Sequence, residues 1–68
     1  MTPERVTARD CARAGFCVSG MKEWLAERGI DYRAFVRDGL PGSEVAAFGD
    51  AMSDLALAQA RRRERETA

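Results

Sequence analysis

The sequence predicts an all-α protein, a compact bundle of three short helices packed on one longer C-terminal helix. Three observations support this: single glycines follow short amphipathic segments, apolar residues recur every three or four positions, and no alternating strand pattern is present. From the chain length of 68 residues we expect one helical domain at residues 1–63, followed by a frayed, charged tail at residues 64–68.

Glycines mark the expected ends of the short helices. Gly15, Gly29 and Gly39 are each followed by a large apolar residue. This pattern is typical of a helix that ends at a left-handed glycine, with the next residue folding back onto the last turn. We therefore expect a positive φ at Gly29 and at Gly39. The short helices are predicted over residues 8–14, 20–28 and 32–38.

Residues suited to helix capping precede these segments. Thr7 followed by Asp10 predicts a weak capping box at the start of the first helix. Ser19 is the expected cap of the second helix and Asp31 that of the third.

The fourth helix is predicted over residues 43–63 and opens at a Pro-Gly-Ser segment. Its apolar residues form a narrow seam at three- and four-residue steps, which we expect to face the core. The seam consists of Val45, Phe48, Met52 and Leu55. The other expected core residues are Met21, Trp24, Leu25, Phe35 and Val36. Trp24 is expected at the centre of the core, with an exposed anchor for a partner as the alternative.

Composition disfavours enzymes and metal sites. The chain has no histidine and two cysteines, without a closely spaced set of ligands, so no metal, cofactor or catalytic residue is expected. We interpret Cys11 and Cys17 as thiols that serve as small buried apolar residues, with a disulfide or a reactive thiol as alternatives. No segment is apolar enough to predict a membrane span, and no signal peptide is expected.

Charge gives little support to nucleic-acid binding. Eleven basic and eleven acidic residues cancel, although residues 35–60 are acidic and the tail is rich in arginine. Residues 7–29 loosely resemble a helix-turn-helix, in which Lys22 would lie on the recognition helix beside Glu23 and Glu27. These acids and the long turn disfavour that interpretation. The arginine tail is interpreted as the solvated end of the last helix, with nucleic acid or an acidic partner as the alternative.

A second row on the fourth helix is the candidate partner-binding site. It has small residues at helical spacing on the side away from the seam, with Leu57 projecting from it and acids nearby. Gly49 inside a helix is unfavourable by about 1 kcal/mol relative to alanine, which close approach of another helix would explain. The alternatives are an alanine-rich surface or a helix buried on both sides. The candidate residues are Ala46, Gly49, Asp50, Ser53, Asp54, Leu57, Ala60 and Arg61.

The segment ARAGFCVSGMKEWLAERGIDYRAFVRDGLPGSEVAAFGDAM resembles small uncharacterised proteins of proteobacterial phages and prophages. The resemblance covers nearly the whole chain up to about Ala60, and Phe48 departs from it, since a smaller polar residue is expected there. The matching residues are Ala14, Gly15, Phe16, Cys17, Gly20, Trp24, Gly29, Ile30, Asp31, Phe35, Gly39, Leu40, Pro41, Gly49, Asp50 and Ala51. The resemblance implies a phage origin and a place among virion assembly or structural genes, and it transfers no catalytic or binding residue.

Together these observations favour a phage-encoded protein-binding module, a minor virion structural or assembly component. Its expected partner is another protein, such as a phage capsid, connector or tail protein, or a second copy of itself. A small DNA-binding regulator and an inhibitor of a host defence protein are the alternatives. The expected location is the host cytoplasm during assembly, with incorporation in the virion as a further expectation.

Overall fold

The computed structural model describes residues 2–67. Met1, the first residue of the predicted domain, and Ala68, the last residue of the predicted tail, lie outside the described residues. The elements in order are β1 (Arg5–Val6), α1 (Ala8–Arg13), α2 (Val18–Ala26), α3 (Tyr32–Asp38), β2 (Leu40–Pro41), α4 (Gly42–Phe48) and α5 (Ala51–Thr67). The predicted helical bundle with a long C-terminal helix is confirmed, since α1 and α4 both pack on α5.

The positive φ angles predicted at the glycines are confirmed, and the chain folds back after Gly15 and Gly29. After Gly39 the predicted fold-back is replaced by an extended chain, with ψ −170° at Gly39 and Leu40 in β2. The backbone φ is 69° at Gly29 and 73° at Gly39. The N–H of Ile30 donates to the carbonyl of Leu25 at 3.0 Å, which closes the end of α2 as the fold-back pattern predicts. An equivalent bond from Phe16 closes α1.

The start of α1 is also as predicted. Asp10 N–H donates to Thr7 Oγ1 at 3.2 Å, and Thr7 N–H donates to Asp10 Oδ2 at 2.9 Å, which completes the capping box. Asp31 caps α3 by accepting a hydrogen bond from the N–H of Ala34 at 3.0 Å.

The start of α2 differs from the prediction. The helix begins at Val18, and Cys17 is its cap: the Sγ atom accepts a hydrogen bond from the N–H of Gly20 at 3.3 Å. Ser19 therefore lies inside the helix. A thiol is a weak acceptor, which is why the sequence pointed to the nearby serine instead.

A two-stranded antiparallel sheet, absent from the predicted fold, holds the amino-terminal segment against the bundle. Val6 of β1 lies opposite Leu40 of β2. Each strand has two residues, which is too short to give an alternating pattern. The two segments of the backbone approach closely at Gly42, whose N–H donates to the Glu4 carbonyl at 3.1 Å. A Cβ at this position would overlap the carbonyl oxygen of Pro3.

The predicted fourth helix is two helices. Gly49 adopts a left-handed conformation, with φ 72° and ψ 15°, and ends α4. The Asp50 carboxylate then accepts a hydrogen bond from the N–H of Ser53 at 2.7 Å and caps α5. The prediction of one continuous helix over residues 43–63 is therefore wrong, and the direction of the chain changes at Gly49.

Trp24 lies at the centre of the core, as predicted, with 2% of its surface exposed. Its ring makes edge-to-face contacts with Phe16, Phe35 and Phe48, at centroid distances of 5.6, 6.1 and 5.7 Å. Its Nε1–H donates to the buried hydroxyl of Ser53 at 3.1 Å. This bond satisfies the polar atom of the indole inside the core.

The carboxyl-terminal part of α5 is held to the start of the chain. Arg63 Nε donates to the buried Asp10 carboxylate at 2.9 Å. The Glu64 carboxylate accepts hydrogen bonds from the backbone N–H groups of Glu4, at 2.9 Å, and Arg5, at 3.3 Å. The predicted tail is helical as far as Thr67, where α5 ends, and its fraying stays a prediction.

Candidate functional site

The predicted partner-binding row is not one exposed surface. Ser53, Leu57 and Ala60 are buried, with Leu57 7% exposed, and they face the domain's own core. The prediction that Leu57 projects toward a partner is therefore wrong. The alternative of a helix face buried by its own domain is correct for these three residues.

The other members of that row remain accessible. Ala46, Gly49, Asp54 and Arg61 are exposed, and Asp50 is half-buried. They do not form a continuous face with one another, because Ala46 lies on α4, Gly49 forms the break and the others lie beyond it. Their role in binding a partner stays a prediction.

The break at Gly49 explains this outcome. The prediction placed Val45, Met52 and Leu55 on one seam by projecting them along a single helix. In the structure Val45 of α4 is buried, whereas Met52 and Leu55 of α5 are 36% and 53% exposed. The two helices have independent orientations, so the phase of α4 does not carry into α5. The expected inward-facing seam is therefore wrong in α5, and Val36, 50% exposed, is also outside the core.

The structure thereby reveals a different candidate surface, the outer face of α5. We define it by Ala51, Met52, Leu55, Ala58 and Arg62. Ala51, Leu55, Ala58 and Arg62 follow one another at steps of four, three and four positions, so they line one side of the helix. This side lies opposite the buried row of Ser53, Leu57 and Ala60.

Charge is distributed unevenly around the outer face of α5. Asp54 lies beside its amino-terminal half and is exposed. Arg61, Arg62 and Arg65 lie in its carboxyl-terminal half, and all are exposed. The surface therefore combines a short apolar strip with an acidic end and a basic end. Such a surface can bind another helix of suitable charge.

The start of α5 is fixed by an electrostatic cluster. Arg28 Nη2 donates to Asp50 Oδ2, and the Arg28 guanidinium lies 4.5 Å from the Phe48 ring centroid and 5.6 Å from that of Trp24. Hydrogen bonds from Ser53 and the nearby Arg28 charge hold the pKa of Asp50 below its usual value, although desolvation opposes them. This cluster orients α5 on α2. Asp50 is therefore tied to the fold, which leaves Asp54 as the accessible acid in the amino-terminal half of α5.

The two cysteines occupy different environments. Cys11 is buried and Cys17 is exposed, and both are free thiols. The interpretation as a buried apolar residue is correct for Cys11 and wrong for Cys17. Burial, together with the neighbouring Asp10 charge, raises the pKa of Cys11 to about 12. Hydrogen bonds with Ser19 and from the N–H of Gly20 lower the pKa of Cys17.

The helix-turn-helix interpretation depends on the exposed side of α2. Glu23 and Glu27 are exposed beside Lys22, whose Nζ lies 5.1 Å from the Tyr32 ring centroid. Trp24 of the same helix is buried. If α2 were a recognition helix, it would therefore present two carboxylates toward the DNA, and the negatively charged phosphates would repel them.

Comparison with known proteins gives no relative for this chain. No family model, curated protein or solved structure matches it. Within residues 2–67, no cluster of histidine, cysteine or acidic residues has the grouping that a metal ion needs. None of the helices in this part of the chain combines the length and apolar composition needed to span a bilayer.

Proposed function

We propose that this protein is a small protein-binding module that contacts its partner through the outer face of α5. The observation that carries the proposal is the exposure of Leu55, at 53%, beside the partly exposed Met52 on the longest helix. Single exposed apolar residues are ordinary on protein surfaces. Here, however, two of them lie within one turn and are continued by Ala51 and Ala58, which allow close approach of another helix.

The resemblance to small phage and prophage proteins supports a specific setting for this binding. On that basis the protein is a minor virion structural or assembly component, which binds a capsid, connector or tail protein or another copy of itself. The carboxylates of Glu23 and Glu27 favour a protein partner over DNA. The absence of histidine and the small size of the domain favour a binding role over catalysis.

Incorporation into particles tests this function. The gene product is measured by quantitative mass spectrometry in phage particles and assembly intermediates, purified after induction of a lysogen that carries the gene. We expect the wild-type protein to be present, Leu55→Lys to be depleted at least about tenfold, and Val36→Lys to be retained. Val36 is the matched control, because it is an apolar helix residue of similar exposure on α3.

The possible outcomes separate the alternatives. Absence of the wild-type protein from both particles and intermediates would refute the assembly role, and purification with a host defence protein would then favour the inhibitor. Equal incorporation of Leu55→Lys and wild type would show that the contact surface lies elsewhere. Specific duplex binding that is lost in Lys22→Ala would replace the proposal with the DNA-binding regulator.

A further inference from the structure

The outer face of α5 has the spacing of a helix–helix seam. Ala51, Leu55, Ala58 and Arg62 are separated by four, three and four positions, which is the alternation of the two seam positions in a coiled coil. The α5 helix is about 25 Å long at 1.5 Å per residue, so this seam extends over three turns. The core lies on the opposite side of the helix, so Ala51, Leu55 and Arg62 are exposed and Ala58 is half-buried.

Steric fit favours pairing with an identical helix in the antiparallel direction. In this arrangement the large side chain at Leu55 lies against the small side chain at Ala58 of the second copy, and the reverse contact forms by symmetry. Ala51 then lies against the aliphatic stem of Arg62 of the second copy, which keeps its guanidinium in solvent. Each large residue therefore meets a small one, which lets two helices approach closely.

Charge favours the same direction. Asp54 and Arg61 lie seven positions apart on the same edge of the seam, on either side of its centre. Antiparallel pairing brings Asp54 of one copy near Arg61 of the other, and it does so twice. A parallel pair would separate Asp54 from Arg61 of the second copy and place Arg62 beside Arg62 in the seam, which is a repulsive contact.

We propose that two copies of this chain associate through the outer faces of their α5 helices, antiparallel, as a reversible homodimer. The inference rests on the proposed function, because it names the partner of the same surface. A contact made by one helix from each copy is small, so the dimer dissociates on dilution, with a dissociation constant on the order of 10–100 µM.

Sedimentation equilibrium of the purified full chain across this concentration range tests the dimer. We expect the apparent mass to rise from that of a monomer toward twice that value. Leu55→Lys weakens association at least about tenfold, because both symmetric contacts lose an apolar side chain and gain a positive charge near arginines. Val36→Lys, the matched control on α3, associates like wild type. Circular dichroism verifies that each variant is folded.

A charge exchange tests the direction of pairing. Asp54→Lys and Arg61→Glu each weaken the dimer, whereas the double variant restores it, because the two new charges again meet with opposite sign. A parallel dimer gives no such rescue. A mass that stays monomeric at every concentration, equal weakening by Val36→Lys, or failure of the double variant would each overturn the proposal.

The outcome for the dimer is distinct from that for the proposed function. A wild-type protein that remains monomeric but enters particles in a Leu55-dependent way refutes the homodimer and retains the binding module. A dimer that is absent from particles and assembly intermediates retains the inference about α5 and refutes the assembly role.

Discussion

The two leucines of α5 differ in position by only two residues and have opposite environments. Leu57 is 7% exposed and belongs to the core, whereas Leu55 is 53% exposed and lies on the outer face of α5. Both are the same amino acid and have the same helix propensity. The difference arises from the side of α5 that the rest of the domain covers, and that side is set where the helix begins, at Asp50.

This comparison shows how a single break changes the meaning of a pattern. Counted from Val45 along one continuous helix, Leu55 belongs to the seam and Leu57 to the opposite side. In the structure, where α5 is a separate helix that begins after the Asp50 cap, Leu57 faces the core and Leu55 faces outward. A hydrophobic pattern therefore identifies a core face only within one uninterrupted helix.

The largest expected effect comes from placing the same charge at the two leucines. Leu57→Asp buries a carboxylate without a partner and removes a core side chain, so it should destabilise the domain by about 4 kcal/mol. Leu55→Asp should change stability by less than about 1 kcal/mol, mostly through helix propensity. Urea unfolding followed by circular dichroism measures both. A folded Leu57→Asp with near wild-type stability would contradict the inner and outer faces defined here.

The ion pair between Asp10 and Arg63 supplies the next largest effect and fixes the carboxyl-terminal half of α5. Burial by itself would raise the pKa of Asp10, but hydrogen bonds from Arg63 and Thr7 outweigh it and hold the pKa below its usual value. Asp10→Asn should therefore cost about 2–3 kcal/mol at pH 7, since Arg63 loses its charged partner.

The sign of the pH dependence follows from this lowered pKa. The contribution of Asp10 is fully present above the pKa of the unfolded chain, near 3.8, and it is lost as the pH falls through the lower pKa of the folded state. The difference in urea midpoint between wild type and Asp10→Asn should therefore be smaller at pH 3 than at pH 7. A constant difference between them would show that the ion pair does not carry this stability.

The smallest effect tests the break itself, and its sign is informative. Gly49→Ala should destabilise by about 1 kcal/mol, because alanine is strained at a φ of 72°. Space is not the reason, since a Cβ at this position would have no neighbour within 4 Å among the described residues. If α4 and α5 formed one continuous helix, the same substitution would stabilise by about 1 kcal/mol. Thermal unfolding of the two proteins distinguishes the alternatives.

Some of what was missed had a signal in the sequence. Gly49 followed by Asp50, with a serine three positions later, has the form of a helix end followed by a new cap. This signal would have predicted the break, although not which side of α5 the rest of the domain covers. The pairing of Asp10 with Arg63 had no such signal, because 53 positions separate them and only the packing of α1 on α5 brings them together.

The sequence by itself determined the helical class, the positive φ of the glycines that follow the first three helices, the capping box at Thr7 and the central place of Trp24. Each of these depends on interactions within a few residues, or on the largest apolar side chain in a small core. Only the tertiary structure decided the two-residue strands, the burial of Ser53 and Leu57, and the outer face of α5. These depend on the relative orientation of helices, which is set by contacts between residues far apart in the chain and has no local pattern.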